Sequence, residues 1–208
     1  MTVHLKTPHL EPLLPPETEA QLTERQREIL DILEELVLRE ELTELTMAQI
    51  ASRASCSLRT LYGICPSRDE LLLTVLDRRL HKIGRQGITG VDRSLPGLEA
   101  ARRYLHAVNH AVQPSTSALS RQFARIEGAK PLLDSHESYV IAVTKGLLDR
   151  AQSEGTIGAV DTQAVASVLG KMGREFGRAD TDLELSASPT ETANALTDIV
   201  LAGLEASV

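Results

Sequence analysis

Aromatic residues are nearly missing from this 208-residue chain, which holds two Phe, three Tyr and no Trp. Its core must therefore be aliphatic, built from Leu, Ile, Val and Ala. The shortage of β-branched and aromatic runs argues against a β-sandwich or barrel. Two cysteines are too few for a disulfide framework. No apolar stretch approaches the roughly 18–20 residues that cross a bilayer, and the N-terminus lacks a signal-peptide core. A soluble, cytoplasmic protein without a membrane partner is the expectation. Nothing resembles a P-loop, a Gly-rich dinucleotide turn, a nucleophile elbow or a zinc-hydrolase helix, so no catalytic residue and no cofactor is assigned and an enzyme is not expected.

What is present is an ordinary globular balance, 42 % hydrophobic and 25 % charged, with a net charge of −7. The charge is unevenly spread. Residues 23–45 hold three Arg against eight acids, whereas residues 46–68 contain Arg53, Arg59 and Arg68 and no acid at all. Extended to Arg85, this stretch carries seven basic residues against three acidic ones. A cationic segment inside an acidic chain is what a phosphate-facing surface needs, although charge alone does not distinguish it from chance clustering.

Pro8, Pro12, Pro15 and Pro16 in residues 1–22, without a sustained period, predict a mobile arm. A capping box, Thr23-Glu24-Arg25-Gln26, opens the first firm helix, whose Ile29, Leu33, Leu36 and Val37 form one apolar stripe. A second box, Thr46-Met47-Ala48-Gln49, starts a helix that can run only to about Ala54, because Ser55-Cys56-Ser57 prefer turns and caps. Ser57 then caps the brief helix Leu58-Arg59-Thr60-Leu61-Tyr62, and Gly63 supplies its stop. Ser67, with Glu70 at the third helical position, opens a long helix with Leu71, Leu72, Val75, Leu76 and Leu80 inward. Two short helices joined by a three-residue turn and flanked by longer ones describe a helix-turn-helix, a unit that places the start of its second helix in the major groove.

Further on, Gly84, Gly87 and Gly90 are expected to break the chain. Helices are predicted over Leu98 to Val112, Ser117 to Glu127, Leu132 to Glu154 and Asp161 to about Arg178. Ser188-Pro189-Thr190-Glu191 caps a last, strongly apolar helix.

Thr46, Ile50-Ala51, Ala54, Ser57, Thr60-Leu61-Tyr62 and Pro66-Ser67-Arg68-Asp69-Glu70-Leu71-Leu72 resemble the signature of the tetracycline-repressor (TetR) family of bacterial regulators. Glu154-Gly155, Asp161 and Asp198 to Leu204 resemble its carboxyl half more weakly. The resemblance implies an all-α protein of about nine helices: a three-helix helix-turn-helix domain, then a helical ligand-binding and dimerisation domain. The division expected is 1–22 as a flexible arm, 23–66 as the DNA-binding domain and 67–208 as the effector-binding and dimerisation domain. It further implies a homodimer through the last two helices, where Ala166, Gly170, Gly173, Ala195, Ala202 and Gly203 permit close approach unless they merely close the monomer core. Three departures stand out. Ser55 replaces a usual Gly at a turn that requires φ > 0, Cys56 a common Val, and Cys65 an aromatic.

For DNA, Arg59 can fork onto guanine O6 and N7, Leu58 can touch a thymine methyl, and Ser57 and Thr60 can bond phosphate or a base edge. Thr46 sits where a helix N-terminus favours phosphate, with capping its certain role. By resemblance, Tyr62 bonds phosphate through its hydroxyl, and Arg68 occupies the family's usual Lys position and holds phosphate.

The family's small-molecule effector site falls at about residues 95–154. The polar groups available there are Tyr104, His106, Asn109, His110, Arg125, Glu127, His136 and Tyr139. His106 and His110 share a helical face but fall short of a metal-ligand set. Cys56 and Cys65 flank the recognition helix, so a redox switch competes with burial as small apolar groups. The reading is a ligand-responsive repressor. The alternative, kept open by the acidic first helix, is an interaction or sensor module whose helix-turn-helix no longer binds DNA.

Overall fold

A computed structural model describes residues 10–39, 41–89, 91–92, 94–111, 122–176 and 185–206, and among them every regular element is helical. The helices are α1 (Pro16–Gln21), α2 (Glu24–Leu36), α3 (Met47–Arg53), α4 (Leu58–Tyr62), α5 (Arg68–Thr89), α6 (Gly97–Ala111), α7 (Ala129–Ser153), α8 (Thr162–Phe176) and α9 (Pro189–Glu205), with a 3-10 turn at Leu42–Glu44. No helix among the described residues is long and apolar enough to cross a membrane. The chain divides into two compact units.

The N-terminal unit comprises Glu11–Lys82 and the described part of Ala118–Leu133. Side-chain caps set its helix starts: Thr23 and Thr46 close full capping boxes with Gln26 and Gln49, and Ser57 Oγ accepts from Thr60 N. Its core joins Ile29, Leu30 and Leu33 of α2 to Ile50 of α3, Leu61 of α4, and Leu71, Leu72, Val75 and Leu76 of α5, with Phe123 added from the later segment.

Two expectations need correction in this unit. Residues 16–21 form α1 instead of belonging to a mobile arm, with Pro16 at the first helical position. The cause is long-range. Leu14 and Leu22 are buried, the Leu13 N–H donates to Asp77 Oδ2 at 2.8 Å, and Arg78 on α5 pairs with Glu19. Arg78 also reaches Glu34 at 2.8 Å and Asp31 at 3.0 Å, so one guanidinium ties α1 and α2 to α5. Secondly, this unit runs past residue 66 into α5 and takes in residues 122–133, which the division at 23–66 left out.

The C-terminal unit contains the described residues of Ile83–Ser117 and Asp134–Val208. Gly84 and Gly87 do not break α5, which continues to Thr89. Each glycine costs a helix interior about 1 kcal/mol relative to Ala, but Gly87 admits the Tyr104 ring, while at Gly84 a methyl group would meet only ordinary contact. A Cβ on Gly87 would stand 3.0 Å from Tyr104 Cε2, and one on Gly84 3.6 Å from Tyr139 Cε1. Gly90 lies outside the described residues.

Gly97 opens α6 pressed against α7, where a Cβ would lie 2.8 Å from the Leu147 carbonyl oxygen. Glu154 accepts its N–H at 2.6 Å, and Arg150 Nη2 donates to the Leu95 carbonyl at 2.6 Å. The core here is Leu98, Ala101, Tyr104, Leu105 and Val108 of α6, Val143, Leu147, Leu148 and Ala151 of α7, Ala166 and Leu169 of α8, and Leu201 of α9. α7 begins at Ala129, three residues before the expected Leu132, because Pro131 fits the first turn, where its missing N–H costs nothing. Of the helix expected over Ser117 to Glu127, residues 117–121 lie outside the described residues. The rest is a turn of helix followed by turns, with Phe123 and Ile126 buried.

Candidate nucleic-acid interface

The turn between α3 and α4 is tight. The Cys56 N–H donates to the Ala51 carbonyl at 2.9 Å, and Ser55 takes φ = 50°, the left-handed conformation its replacement of Gly suggested. Ala54 is buried beneath it. Ser57 then starts α4, its Oγ 2.7 Å from Thr60 Oγ1 and 3.0 Å from the Thr60 N–H. Only Leu61 of α4 is buried, which leaves the rest of this five-residue helix to be held at its ends.

Leu58 and Tyr62, one turn apart, are 41 % and 52 % exposed. Arg59 lies exposed between them, and its guanidinium has no ion-pair partner among the described residues. Leu58, Arg59 and Tyr62 thus stand open to water together on one short helix. A duplex groove can use all three.

The other DNA candidates are more committed. Thr46 is exposed, but its N–H donates to Gln49 Oε1 at 2.8 Å and its hydroxyl to the same oxygen at 2.9 Å. Arg68 is half-buried: Nε donates to Asp69 Oδ1 at 2.9 Å and Nη1 to the Thr43 carbonyl at 3.2 Å.

Gly63 does not stop α4 by a left-handed turn, since its φ is −77° and its ψ −10°. Its missing Cβ matters for another reason. Gln26 Nε2 donates to the Gly63 carbonyl at 3.0 Å, and a Cβ on Gly63 would stand 3.0 Å from that nitrogen. Next to it on α2, Arg25 Nη2 donates to the Ser55 carbonyl at 3.2 Å. The sequence reading missed both residues.

Burial raises the pKa of both thiols. Cys65 is buried with Sγ 3.5 Å from Thr74 Oγ1, while Arg25 only partly offsets the effect at Cys56. Fewer thiolates at neutral pH disfavour the redox reading.

The effector candidates are scattered. Tyr104, His106, Asn109, His110, His136 and Tyr139 belong to the C-terminal unit, Arg125 and Glu127 to the N-terminal one. Arg125 pairs with Glu44 at 3.5 Å on the surface, and Glu127 and His110 are exposed. His106 Nε2 lies 3.1 Å from Asp198 Oδ1, and Asn109 Nδ2 donates to Asn194 Oδ1 at 3.1 Å, a polar seam between α6 and α9. Tyr104 is fully buried with no hydrogen-bond partner for its hydroxyl among the described residues, and burial, helped by Tyr139, raises its phenol pKa. Tyr139, half-buried, is raised for the same reason.

No protein-family model and no curated protein matches the sequence. Solved structures do match. A putative TetR-family transcriptional regulator from Rhodococcus sp. superposes with a TM-score of 0.71 at 17 % identity, over 88 % of this chain and 100 % of that one. The TetR-family regulator PfmR from Thermus thermophilus gives 0.62 at 20 % identity, over 85 % and 98 %. AibR, solved in complex with isovaleryl coenzyme A and operator DNA, gives 0.61 at 18 % identity, over 85 % and 97 %. The chain has the fold of the TetR-family transcriptional regulators.

Proposed function

We propose that this protein is a homodimeric, sequence-specific DNA-binding transcriptional regulator, a repressor released from its operator by a small-molecule effector. The observation that carries the reading is α4, where Leu58, Arg59 and Tyr62 stand open on a helix whose flanking segment, residues 46–68, has no acid. Arg59 reads guanine, Leu58 a thymine methyl, and Ser57, Thr60 and Tyr62 the phosphates or base edges beside them. Thr46 and Arg68 contribute phosphate contacts in addition to the bonds they make within the protein.

A single five-residue helix grips too little of a duplex, so two copies act together. Val168 on α8 and Ile199 on α9 are 63 % and 66 % exposed, and Ala195, Ala202 and Gly203 continue an exposed small-residue stripe along α9. These are the faces we assign to the partner. Ala166 and Gly170 serve the unit's own core instead: Ala166 is buried, and a Cβ on Gly170 would stand 2.8 Å from Ile141 Cγ1. The side chain of residue 173 lies outside the described residues.

The effector reading rests on AibR's bound isovaleryl coenzyme A and on the buried Tyr104 hydroxyl, which has no partner among the described residues. Ligand binding would favour a spacing of the two α4 helices that no longer matches successive major grooves, with α5 as the lever. The competing reading, a module that has lost DNA binding, draws on the exposed acids Glu24, Glu28, Asp31 and Glu35 of α2.

Selecting duplexes from fragmented host genome decides between them. The regulator enriches a sequence containing two related half-sites, and Arg59→Ala does not. No enrichment by the unmodified protein would leave the interaction module.

A further inference from the structure

Capping boxes close equally well with Glu or Gln at the third helical position, because the box uses only the side-chain carbonyl or carboxylate oxygen. α9 uses Glu191, whose Oε2 accepts from the Ser188 N–H at 3.0 Å. α2 uses Gln26, and the amide there serves two partners. Its Oε1 accepts from the Thr23 N–H at 2.8 Å and from the Thr23 hydroxyl at 3.0 Å, while its Nε2 donates to the Gly63 carbonyl at 3.0 Å. The two ends cannot be exchanged, since a backbone N–H only donates and a backbone carbonyl only accepts.

Gly63 is the residue immediately after α4, and Ser55 lies in the turn just before it. The neighbouring side chain, Arg25, donates to the Ser55 carbonyl at 3.2 Å. The first turn of α2 therefore holds a carbonyl on each side of α4. α4 is anchored by buried Leu61 and by Ile64 and Cys65 just beyond it, and on so short a helix the two bonds at its ends add directly to what fixes its rotation about its own axis. That rotation decides where Leu58, Arg59 and Tyr62 point. Gly63 completes the device: its backbone angles suit any residue, but a methyl group there would crowd Gln26 Nε2.

We infer that Gln26, supported by Arg25 and by the missing side chain at Gly63, is a positioning residue that sets the orientation of α4 and through it the base specificity of the DNA contact. This rests on the DNA-binding reading above.

Two variants separate positioning from mere stability. Gln26→Glu keeps the capping box and adds a carboxylate that a helix N-terminus favours, but puts an acceptor oxygen against the Gly63 carbonyl. Gly63→Ala displaces the Gln26 amide without changing any charge. Both are compared with the unmodified protein by thermal melting, by amide hydrogen exchange across residues 58–65, and by affinity for the enriched duplex against single-base variants of it.

We expect melting within about 3 °C of the unmodified protein, α4 amides exchanging about tenfold faster with α2 amides unchanged, and discrimination against wrong bases reduced about tenfold. Unchanged exchange in α4, or unchanged base discrimination, overturns the inference while the unmodified protein still enriches its sequence. If the unmodified protein enriches nothing, the DNA-binding reading has failed first, and this inference falls with it.

Discussion

The two units each have an aliphatic core, but they differ in the length of their helices and in how the helix ends are held. In the N-terminal unit the helices that form the candidate interface are seven and five residues long, below the length at which a helix stands alone in water. Besides the burial of Met47, Ile50, Ala51 and Leu61, they are held by individual polar bonds: the Thr46 capping box, the Ser57 cap, Gln26 on the Gly63 carbonyl and Arg25 on the Ser55 carbonyl, while Arg78 ties α1 and α2 to α5. The C-terminal unit is built from helices of 15 to 25 residues whose Leu, Ala and Val side chains interlock, with Gly97 and Gly87 admitting close neighbours. A hydrogen bond fixes both a distance and an angle between two particular groups. Aliphatic packing tolerates many residue choices, which suits a domain whose contents can change without loss of the fold.

Breaking one kind of contact should therefore have consequences unlike breaking the other. The largest effect is expected from Arg59→Ala, which on the proposed reading removes one base contact from each of two half-sites. At about 1–3 kcal/mol per bidentate contact, it should weaken specific binding by about thirtyfold or more while leaving melting unchanged, as read by fluorescence anisotropy and calorimetry. Arg78→Met should cost about 3 kcal/mol in urea unfolding, because buried Glu34 loses the partner that compensates its charge. Unfolding equal to the parent would show the carboxylates to be solvated well enough without it.

Gly97→Ala probes the packed unit instead. A methyl group 2.8 Å from the Leu147 carbonyl oxygen forces α6 away from α7, at a cost of about 2 kcal/mol by the same measurement, with base discrimination retained. Ile199→Asp should leave the unfolding of the separate chain nearly unchanged, within about 0.5 kcal/mol, yet shift sedimentation from dimer to monomer. The smallest effect belongs to the α9 cap. Ser188→Ala should cost about 1 kcal/mol at neutral pH. Hydrogen bonds from the Ser188 side chain and backbone lower the Glu191 pKa below its ordinary 4.5. A lowered carboxylate stabilises the fold above its unfolded pKa and loses that contribution as pH falls through the folded one. The difference between Ser188→Ala and the parent should therefore shrink below about pH 4.

The same contrast governs what could be read from the sequence. The turn and caps around α4 were legible because Thr, Ser and Gln at fixed spacings satisfy donors three residues away, a local constraint that leaves a local trace. α1 was not, because its order comes from Arg78 and Asp77, more than fifty residues along the chain. Nor was the passage of α5 through Gly84 and Gly87, since α5 packs there on Tyr139 and Tyr104, and Gly87 leaves room for the Tyr104 ring. Arg125 and Glu127 fall within the stretch assigned to an effector, but they belong to the N-terminal unit, a division that sequence proximity cannot express. The one legible clue to Gln26 was its identity, an amide where a carboxylate would cap as well. Its second partner, Gly63, is 37 residues away.

The central claim, that α4 lodges in a duplex while a second copy does the same one helical turn away, is tested most directly by the salt dependence of binding to the enriched sequence. With about six to ten phosphates contacted by the dimer, affinity should fall by about a thousandfold or more between about 50 and 200 mM salt. The Arg59→Ala protein should lose base preference and keep most of that slope. Binding that is insensitive to salt, or equally strong and equally selective without Arg59, would contradict the account.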